Sequence, residues 1–328
     1  MRALLPGVRK TAVAVVVVMT ATVSALTGAP AQADLAPPYV AWSSYLAGWT
    51  DQYVPTSDND CVAGRSNCLN ATLKEQSRIA DSTAKACSHN AVFARAYVRM
   101  TQLYGYTRAI PGYYQDVRYM NHLDAVFAHY YTDAYYNWQS GNRASVPQSW
   151  LIAFDAATNK QVTGSADLLL GMNAHINRDL PYVMAASGLV APDGTSRKAD
   201  FDAAEAWLYD ATAPLLAELA ARFDPTADDA SNGLSNFALF QMVSGWRENA
   251  WRNAEALVSA PNAAARAVVA ANIESQANAT AQAIVTSESY SATGGSTVPR
   301  DQFCAAHNGD APPVAYYFGY ADPWGYAY

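Results

Sequence analysis

The chain has 328 residues, of which 51% are hydrophobic and 15% are charged. It therefore holds enough apolar material for a sizeable core and too little charge for a disordered protein. Its 21 basic residues stand against 28 acidic ones, a formal net charge of −7, and this balance excludes nucleic acid as a generic partner because no basic stripe can neutralise phosphates.

Residues 1–33 have the pattern of a cleavable signal peptide. Basic residues at positions 2, 9 and 10 precede the largely apolar stretch 11–26, and small residues occupy positions 31 and 33. The pattern predicts a secreted, extracellular protein whose mature chain begins at Asp34, with 18 basic residues against 28 acidic ones and a net charge of −10. A retained membrane anchor is the alternative, which the short apolar run disfavours. No later segment of the mature chain is long and apolar enough to cross a bilayer.

The mature chain predicts helices separated by short loops, after a loop-like start over 34–60. The predicted helices cover 72–104 with a break near Ser88, 119–138, 147–157, 165–186 with a kink or interruption at Pro181, 200–223 with a kink at Pro214, 234–259 and 261–287. No strand-like alternation and no internal repeat is found. The sequence predicts an all-α fold, a single domain over 34–290 built as a bundle of about seven or eight helices. Residues 291–328 are expected to be a linker and a C-terminal tail packed on that domain.

Four cysteines follow the predicted signal peptide, an even number that is typical of two disulfides in an exported protein. Cys61 and Cys68 flank a short polar loop, so they are predicted to pair locally. Cys87 and Cys304 then remain, and their bond would tie the C-terminal tail to an early helix. A cysteine-based metal site is the alternative, which the absence of any CxxC spacing disfavours.

Several segments resemble a known family. They are LLLGMNAHINRDLP at 168–181, CSHNAVFARAY at 87–97, FAHYYTDAYYNW at 127–138, WRENAWRNAEAL at 246–257, GTSRKAD at 194–200 and RDQFCAAH at 300–307. In these segments the chain resembles a bacterial family labelled a domain of unknown function (number 5995), over nearly all of the mature chain. The resemblance implies a secreted helical protein and no particular activity. Relatives often carry an Asp-His pair where this chain has Asp200-Phe201, so chemistry that depends on that histidine is not expected here.

Two segments share the pattern His-x-x-x-Asp, which places an imidazole and a carboxylate on one face of a helix. They are His129 with Asp133 and His175 with Asp179, and His122 lies on the same stripe as His129. Both pairs border apolar stripes, so we expect them to meet in a cleft and to bind a divalent metal. Zinc is favoured, and iron or manganese would fit nearly as well. The alternative is an ordinary side-chain hydrogen bond within each pair.

A second polar cluster lies on the predicted helix 234–259. Arg247 shares one helical face with Trp251, and Glu248 shares the neighbouring face with Arg252 and Glu255. An arginine at this place could clamp a phosphate or a carboxylate beside a metal. The alternative is a set of i, i+4 salt bridges with the tryptophans in the core.

These patterns favour a secreted metal-dependent hydrolase that acts on a phosphoester or a phospholipid, a small-molecule or lipid substrate. A metal-bound hydroxide would attack, with Asp179 or Glu248 as base and Arg178 or Arg247 stabilising charge. The likeness to helical zinc enzymes is an analogy of fold alone. The alternatives are a non-catalytic secreted binding protein with a Tyr-rich contact surface and a helical iron-dependent oxidoreductase. The oxidoreductase is less favoured because the Glu-x-x-His pattern is absent.

Overall fold

The structure is a computed structural model that describes residues 52–227, 233–290 and 296–312. The predicted signal peptide and the first residues after it lie outside these ranges, as do most of the predicted linker and the end of the tail. In the described ranges, no helix has the length and hydropathy needed to cross a bilayer.

Helices dominate the described residues. The α-helices are α1 (Asn67–Lys85), α2 (Ala91–Thr107), α3 (Val117–Gln139), α4 (Gln148–Thr158), α5 (Gly164–Met172), α6 (Leu180–Ser187), α7 (Lys198–Arg222), α8 (Gly233–Ser259), α9 (Ala263–Glu288) and α10 (Val298–His307). A π-helical segment, Asn173–Asp179, joins α5 to α6, and 3-10 turns cover Arg143–Ser145 and Pro225–Ala227. The β structure in these ranges consists of two isolated bridges, so the all-α prediction is confirmed.

The helix count exceeds the prediction for two reasons. The predicted helix 165–186 is divided by the π-helical segment, which ends just before Pro181 in the first turn of α6. Proline has no amide hydrogen to donate to the carbonyl one turn earlier, and its ring would clash with that carbonyl. The regular α-helical hydrogen bonding is therefore interrupted in the turn before Pro181. The predicted linker also ends earlier than expected, because α10 already begins at Val298. Pro214, by contrast, lies inside a continuous α7.

Both predicted disulfides are present. Cys61–Cys68 closes the loop before α1, with a Cα–Cα distance of 4.9 Å, and Cys87–Cys304 joins the turn after α1 to α10, with a Cα–Cα distance of 5.8 Å. All four cysteines of the chain are bonded. The alternative of a cysteine-based metal site is therefore excluded, because metal binding requires a thiolate.

An arginine of α10 strengthens the attachment of the C-terminal region. The Arg300 guanidinium is buried, with Nη2 2.7 Å from Oδ2 of Asp167 and Nε 3.1 Å from Oδ2 of Asp224. The same Asp224 oxygen accepts a hydrogen bond from the amide of Gly164 at the start of α5. This network holds α10 against α5 and the turn after α7.

Two apolar clusters form the core. One surrounds Trp150 of α4 and the other surrounds Tyr182 of α6 and Trp251 of α8. Phe127 of α3 packs against both clusters. Helix α3 therefore lies between the two parts of the core.

A buried ion pair fixes α2 against α7. Arg99 donates from Nε and Nη2 to the two carboxylate oxygens of Glu218, at 2.7 and 2.8 Å, and Arg222 donates to the same carboxylate at 2.7 Å. Glu218 is fully buried. A buried carboxylate is stable only with such partners, because the loss of its hydration costs several kcal/mol.

We predict that the long disulfide stabilises the fold more than the short one. Replacement of Cys87 and Cys304 by serine should lower the free energy of unfolding by about 2–5 kcal/mol, because the bond restricts a long loop in the unfolded chain. The matched replacement of Cys61 and Cys68 should cost less, since the sequence separations are 217 and 7. Urea unfolding of the two variants measures the difference, and equal losses would contradict the prediction.

Removal of the buried charge between α2 and α7 should be strongly destabilising. Glu218→Gln leaves the Arg99 and Arg222 guanidinium groups in the interior without their carboxylate, and should cost about 3–5 kcal/mol. Glu255→Gln is the matched control, because Glu255 pairs with Arg252 on the surface, and it should cost less than about 1 kcal/mol. Thermal and urea unfolding of both variants test this, and a loss at Glu218 no larger than at Glu255 would refute it.

Candidate functional site

The two histidines predicted to share a metal lie in different surroundings. The His175 ring is buried and stacks on Phe127, with ring centroids 3.5 Å apart. His129 lines a small cleft together with Thr72 and Glu75 of α1. His129 follows Phe127 by two positions on α3, a rotation of about 200° around the helix. The helical periodicity therefore turns His129 away from His175.

The remaining predicted ligands are also separate. His122 is buried, with Nδ1 2.9 Å from the carbonyl oxygen of Cys61, while Asp133 accepts a hydrogen bond from Asn137. Residues 52–227, 233–290 and 296–312 contain no group of three or more His, Cys, Asp or Glu side chains that could hold a metal ion. The zinc, iron or manganese cofactor thus stays a prediction without a site in this part of the chain.

The second His-Asp pair belongs to a network in the core. His175 Nδ1 lies 3.2 Å from Oδ2 of Asp179, which also accepts a hydrogen bond from Trp150 Nε1 at 2.8 Å. Arg178 donates to the other Asp179 oxygen at 2.9 Å and to Glu274 of α9 at 2.8 Å. Burial lowers the pKa of His175, so its imidazole is neutral at physiological pH. These contacts fit the interpretation of an ordinary hydrogen-bonded pair that links α4, the π-helical segment and α9.

The cluster on α8 divides between the surface and the interior. Glu248 accepts from Arg252 at 2.8 Å and lies 2.8 Å from Nζ of Lys198. The hydrogen bond from Lys198 is the main cause that lowers the pKa of Glu248. Trp251 is buried in the core, so this part of the cluster has the predicted salt bridges. Arg247 instead reaches an interior pocket.

That pocket lies between α2, α3 and α7, with α6 and α8 completing its wall, and has a volume of about 140 Å³. Its aromatic lining consists of Tyr97, Tyr104, Tyr114, Phe127, Phe201 and Trp207. Phe201, the residue after Asp200, therefore belongs to the wall. The pattern of α3 explains its share of the lining, because Met120, Leu123, Asp124 and Phe127 occupy positions i, i+3, i+4 and i+7 on one helical face.

Asp124 is the acid on that inward face. Its side chain keeps part of its surface accessible, and this surface faces the pocket that it lines. Within the described residues, no Lys, Arg or His nitrogen lies within 4.0 Å of its carboxylate, and no hydrogen bond reaches it. Burial raises the pKa of Asp124 to about 7, and the more distant positive charge of Arg108 offsets only part of that effect.

Two hydroxyl groups of the wall also lack a partner among the described residues. Tyr97 Oη and Thr101 Oγ1 are buried, and neither makes a hydrogen bond to a described residue. Neighbouring hydroxyls are satisfied, since Tyr104 donates to Asn121 at 2.7 Å and Thr107 lies 3.0 Å from Oη of Tyr114. Buried polar groups in native proteins are normally paired. The unpaired ones beside a cavity therefore indicate a place for a ligand.

The sequence contains one signal for this site that lies outside the His-x-x-x-Asp pattern. Asp124 occupies an apolar position in the pattern of α3, where an acid requires compensation. The aromatic residues around it come from α2, the loop before α3 and α7. Their convergence depends on tertiary structure, so spacing along the chain does not show it.

We predict that Asp124 titrates near neutral pH and makes stability depend on pH. Its pKa is raised from 3.8 to about 7, so the folded state keeps a proton that the unfolded state loses between these values. The contribution of Asp124 to stability should fall as the pH rises from about 4 to about 7 and then stay constant. Asp124→Asn should exceed wild type in free energy of unfolding by on the order of 4 kcal/mol at pH 8 and by little at pH 4. Urea unfolding at both pH values tests this, and an equal difference at both would contradict it.

Comparison with known proteins places the chain in a family and leaves its activity open. The chain matches none of the curated proteins and none of the solved structures. A family model, described as a family of unknown function (DUF5995), matches residues 69–287. The match covers well over half of the 328 residues and includes every residue of the pocket wall. The chain therefore belongs to this family of unknown function.

Proposed function

We propose that the protein is an exported, non-catalytic binding protein that holds a small, largely apolar molecule in the pocket between α2, α3 and α7. The observation that carries this proposal is the aromatic cavity whose wall includes polar groups without a hydrogen-bond partner among the described residues. These groups are the hydroxyls of Tyr97 and Thr101 and the carboxylate of Asp124. Ligand sites in proteins typically have this composition, a mostly apolar surface with a few polar groups that fix the orientation of the ligand.

The volume of the pocket sets the size of the ligand. A cavity of about 140 Å³ is comparable to an engineered protein cavity of about 150 Å³ that binds benzene. The ligand core should therefore contain roughly six to eight heavy atoms. A longer molecule would have to extend beyond the cavity.

The polar groups of the wall define what such a ligand offers. The Tyr97 hydroxyl can donate and accept a hydrogen bond, and so can that of Thr101. A ligand with one polar group on an apolar body would satisfy atoms that the protein leaves unpaired. Each hydrogen bond gained in this way contributes about 0.5–1.5 kcal/mol to binding.

Export is supported by the two disulfides and by the signal-like start of the sequence. Disulfides form and persist in oxidising compartments and are rare in the cytosol. Both cysteine pairs are bonded, and the basic, apolar and small-residue regions follow one another within residues 1–33. A binding protein outside the cell would act on molecules of the surrounding medium.

We predict that phenol, a small aromatic probe with one hydroxyl group, binds the protein in this pocket. Ala204 of α7 lines the cavity, so Ala204→Leu should fill part of it and weaken binding by about tenfold or more. Ala213 lies on the exposed face of the same helix, and Ala213→Leu is the matched control that should bind like wild type. Isothermal titration calorimetry measures all three affinities.

Two results would overturn the proposal. One is the absence of phenol binding to the folded wild-type protein at millimolar concentration. The other is equal binding by wild type and Ala204→Leu, which would place the probe elsewhere on the molecule. Circular dichroism confirms that each variant keeps its helical structure.

A further inference from the structure

The buried acids of the described residues all have partners within the protein. Four buried acids have an arginine nitrogen within 3.1 Å, namely Asp167, Asp179, Glu218 and Asp224. The buried Asp200 instead accepts hydrogen bonds from the backbone amides of Gln115 and Asp116. Asp124 has no such partner among the described residues. The pocket therefore contains a carboxylate whose charge the protein itself does not neutralise.

The other ionised group of the wall, Arg247, has contacts of its own, although its buried Nε makes no hydrogen bond to a described residue. Arg247 donates from Nη2 to the carbonyl oxygen of Phe201 at 2.6 Å, and its Nε lies 3.6 Å from Oε1 of Glu205. Its guanidinium also lies over the Phe201 ring, 4.1 Å from the centroid. An anionic ligand would have to compete with these contacts, whereas a cation would meet an unpaired carboxylate.

Aromatic rings surround the same carboxylate. Burial is the largest cause that raises the pKa of Tyr97 and of Tyr104, and the negative charge of Asp124 is the second. Both phenols therefore lie near Asp124. Tyr104 packs on Tyr114 with ring centroids 5.8 Å apart, and Phe127 lies one turn after Asp124 on α3. Aromatic faces attract organic cations through the ring quadrupole, and more strongly when water is excluded.

We infer that the ligand of this pocket is a small organic cation, with its charged group against Asp124 and its carbon atoms against the surrounding aromatic rings. This inference rests on the proposed binding function and names the chemical class of the ligand. A compact ammonium with alkyl substituents fits both the volume and the lining. It offers apolar surface on all sides and a charge at its centre.

Binding of such a cation is coupled to the ionisation of Asp124. Without a ligand, burial raises the pKa of Asp124 to about 7. A bound cation favours the ionised carboxylate and therefore lowers this pKa. The groups that face Asp124 are Tyr97 and Tyr104 on α2, Arg108 directly after α2, Tyr114 before α3 and Arg247 on α8, while the pocket residues of α6 and α7 carry no charge. None of these tyrosines or arginines changes its charge between pH 6 and pH 8. Affinity for the cation should therefore rise by about tenfold between these pH values.

The test compares two probes of the same shape. Choline carries a trimethylammonium group, and 3,3-dimethylbutan-1-ol replaces its charged nitrogen by carbon. Titration calorimetry on the full mature protein at pH 8 should show choline binding about tenfold more tightly than the alcohol or better. The advantage of choline should shrink at pH 6, where Asp124 is mostly protonated.

Two variants locate the effect. Asp124→Asn keeps the shape of the side chain and removes its charge, so choline affinity should fall to that of the alcohol and lose its dependence on pH. Asp133→Asn is the matched control, because Asp133 lies on the same helix, outside the pocket wall, and bonds to Asn137. It should retain the preference for choline.

The outcomes separate this inference from the proposal on which it rests. Equal binding of choline and the alcohol to wild type, or an unchanged preference in Asp124→Asn, would overturn the inference and leave phenol binding intact. Failure of phenol to bind would overturn the binding function on which the inference rests. A preference for choline that depends on Asp124 and increases with pH is the result we expect.

Discussion

The ion pair between Arg99 and Glu218 determines how α2 and α7 are placed, and the pocket depends on that placement. At one point along these helices the buried pair holds them together. At another, Tyr106 meets Trp207 edge to face, with centroids 5.3 Å apart. Two fixed contacts keep the helices at a set distance, so side chains between them need not fill the space completely. The cavity exists because polar and aromatic contacts, rather than continuous apolar packing, set the separation.

The interior combines polar groups of two kinds, and the distinction explains which of them are concerned with function. Asp179 and the carboxylates around Arg300 make contacts that join helices distant in sequence. Such networks specify one arrangement of the helices, at a cost in desolvation that their partners repay. Among the described residues, Asp124 makes no ion pair or hydrogen bond that would join α3 to another helix. An acid that lowers the stability of the protein without ligand is understandable if it contributes to ligand binding.

The fold followed from local patterns, whereas the site did not. Helical periodicity and the positions of proline and glycine located the helices. The short spacing of Cys61 and Cys68 identified one disulfide, and the pair Cys87 and Cys304 then remained for the second. Spacing alone also placed His175 and Asp179 within hydrogen-bonding distance, as observed. It could not show that His129 faces α1, because the inward side of α3 is decided by its neighbours. The pocket combines residues up to 150 positions apart, from Tyr97 to Arg247, and no local pattern records that convergence.

The disulfide between Cys87 and Cys304 also constrains the order of events during synthesis. Cys304 follows α1 to α9 in the chain, so Cys87 must remain a thiol until almost the whole chain has reached an oxidising environment. Cys61 and Cys68 are separated by 7 positions, and short loops close fastest, so their bond can form first. Once that bond has formed, neither Cys61 nor Cys68 can form a non-native disulfide with Cys87. When Cys304 arrives, it meets the single thiol left in the chain.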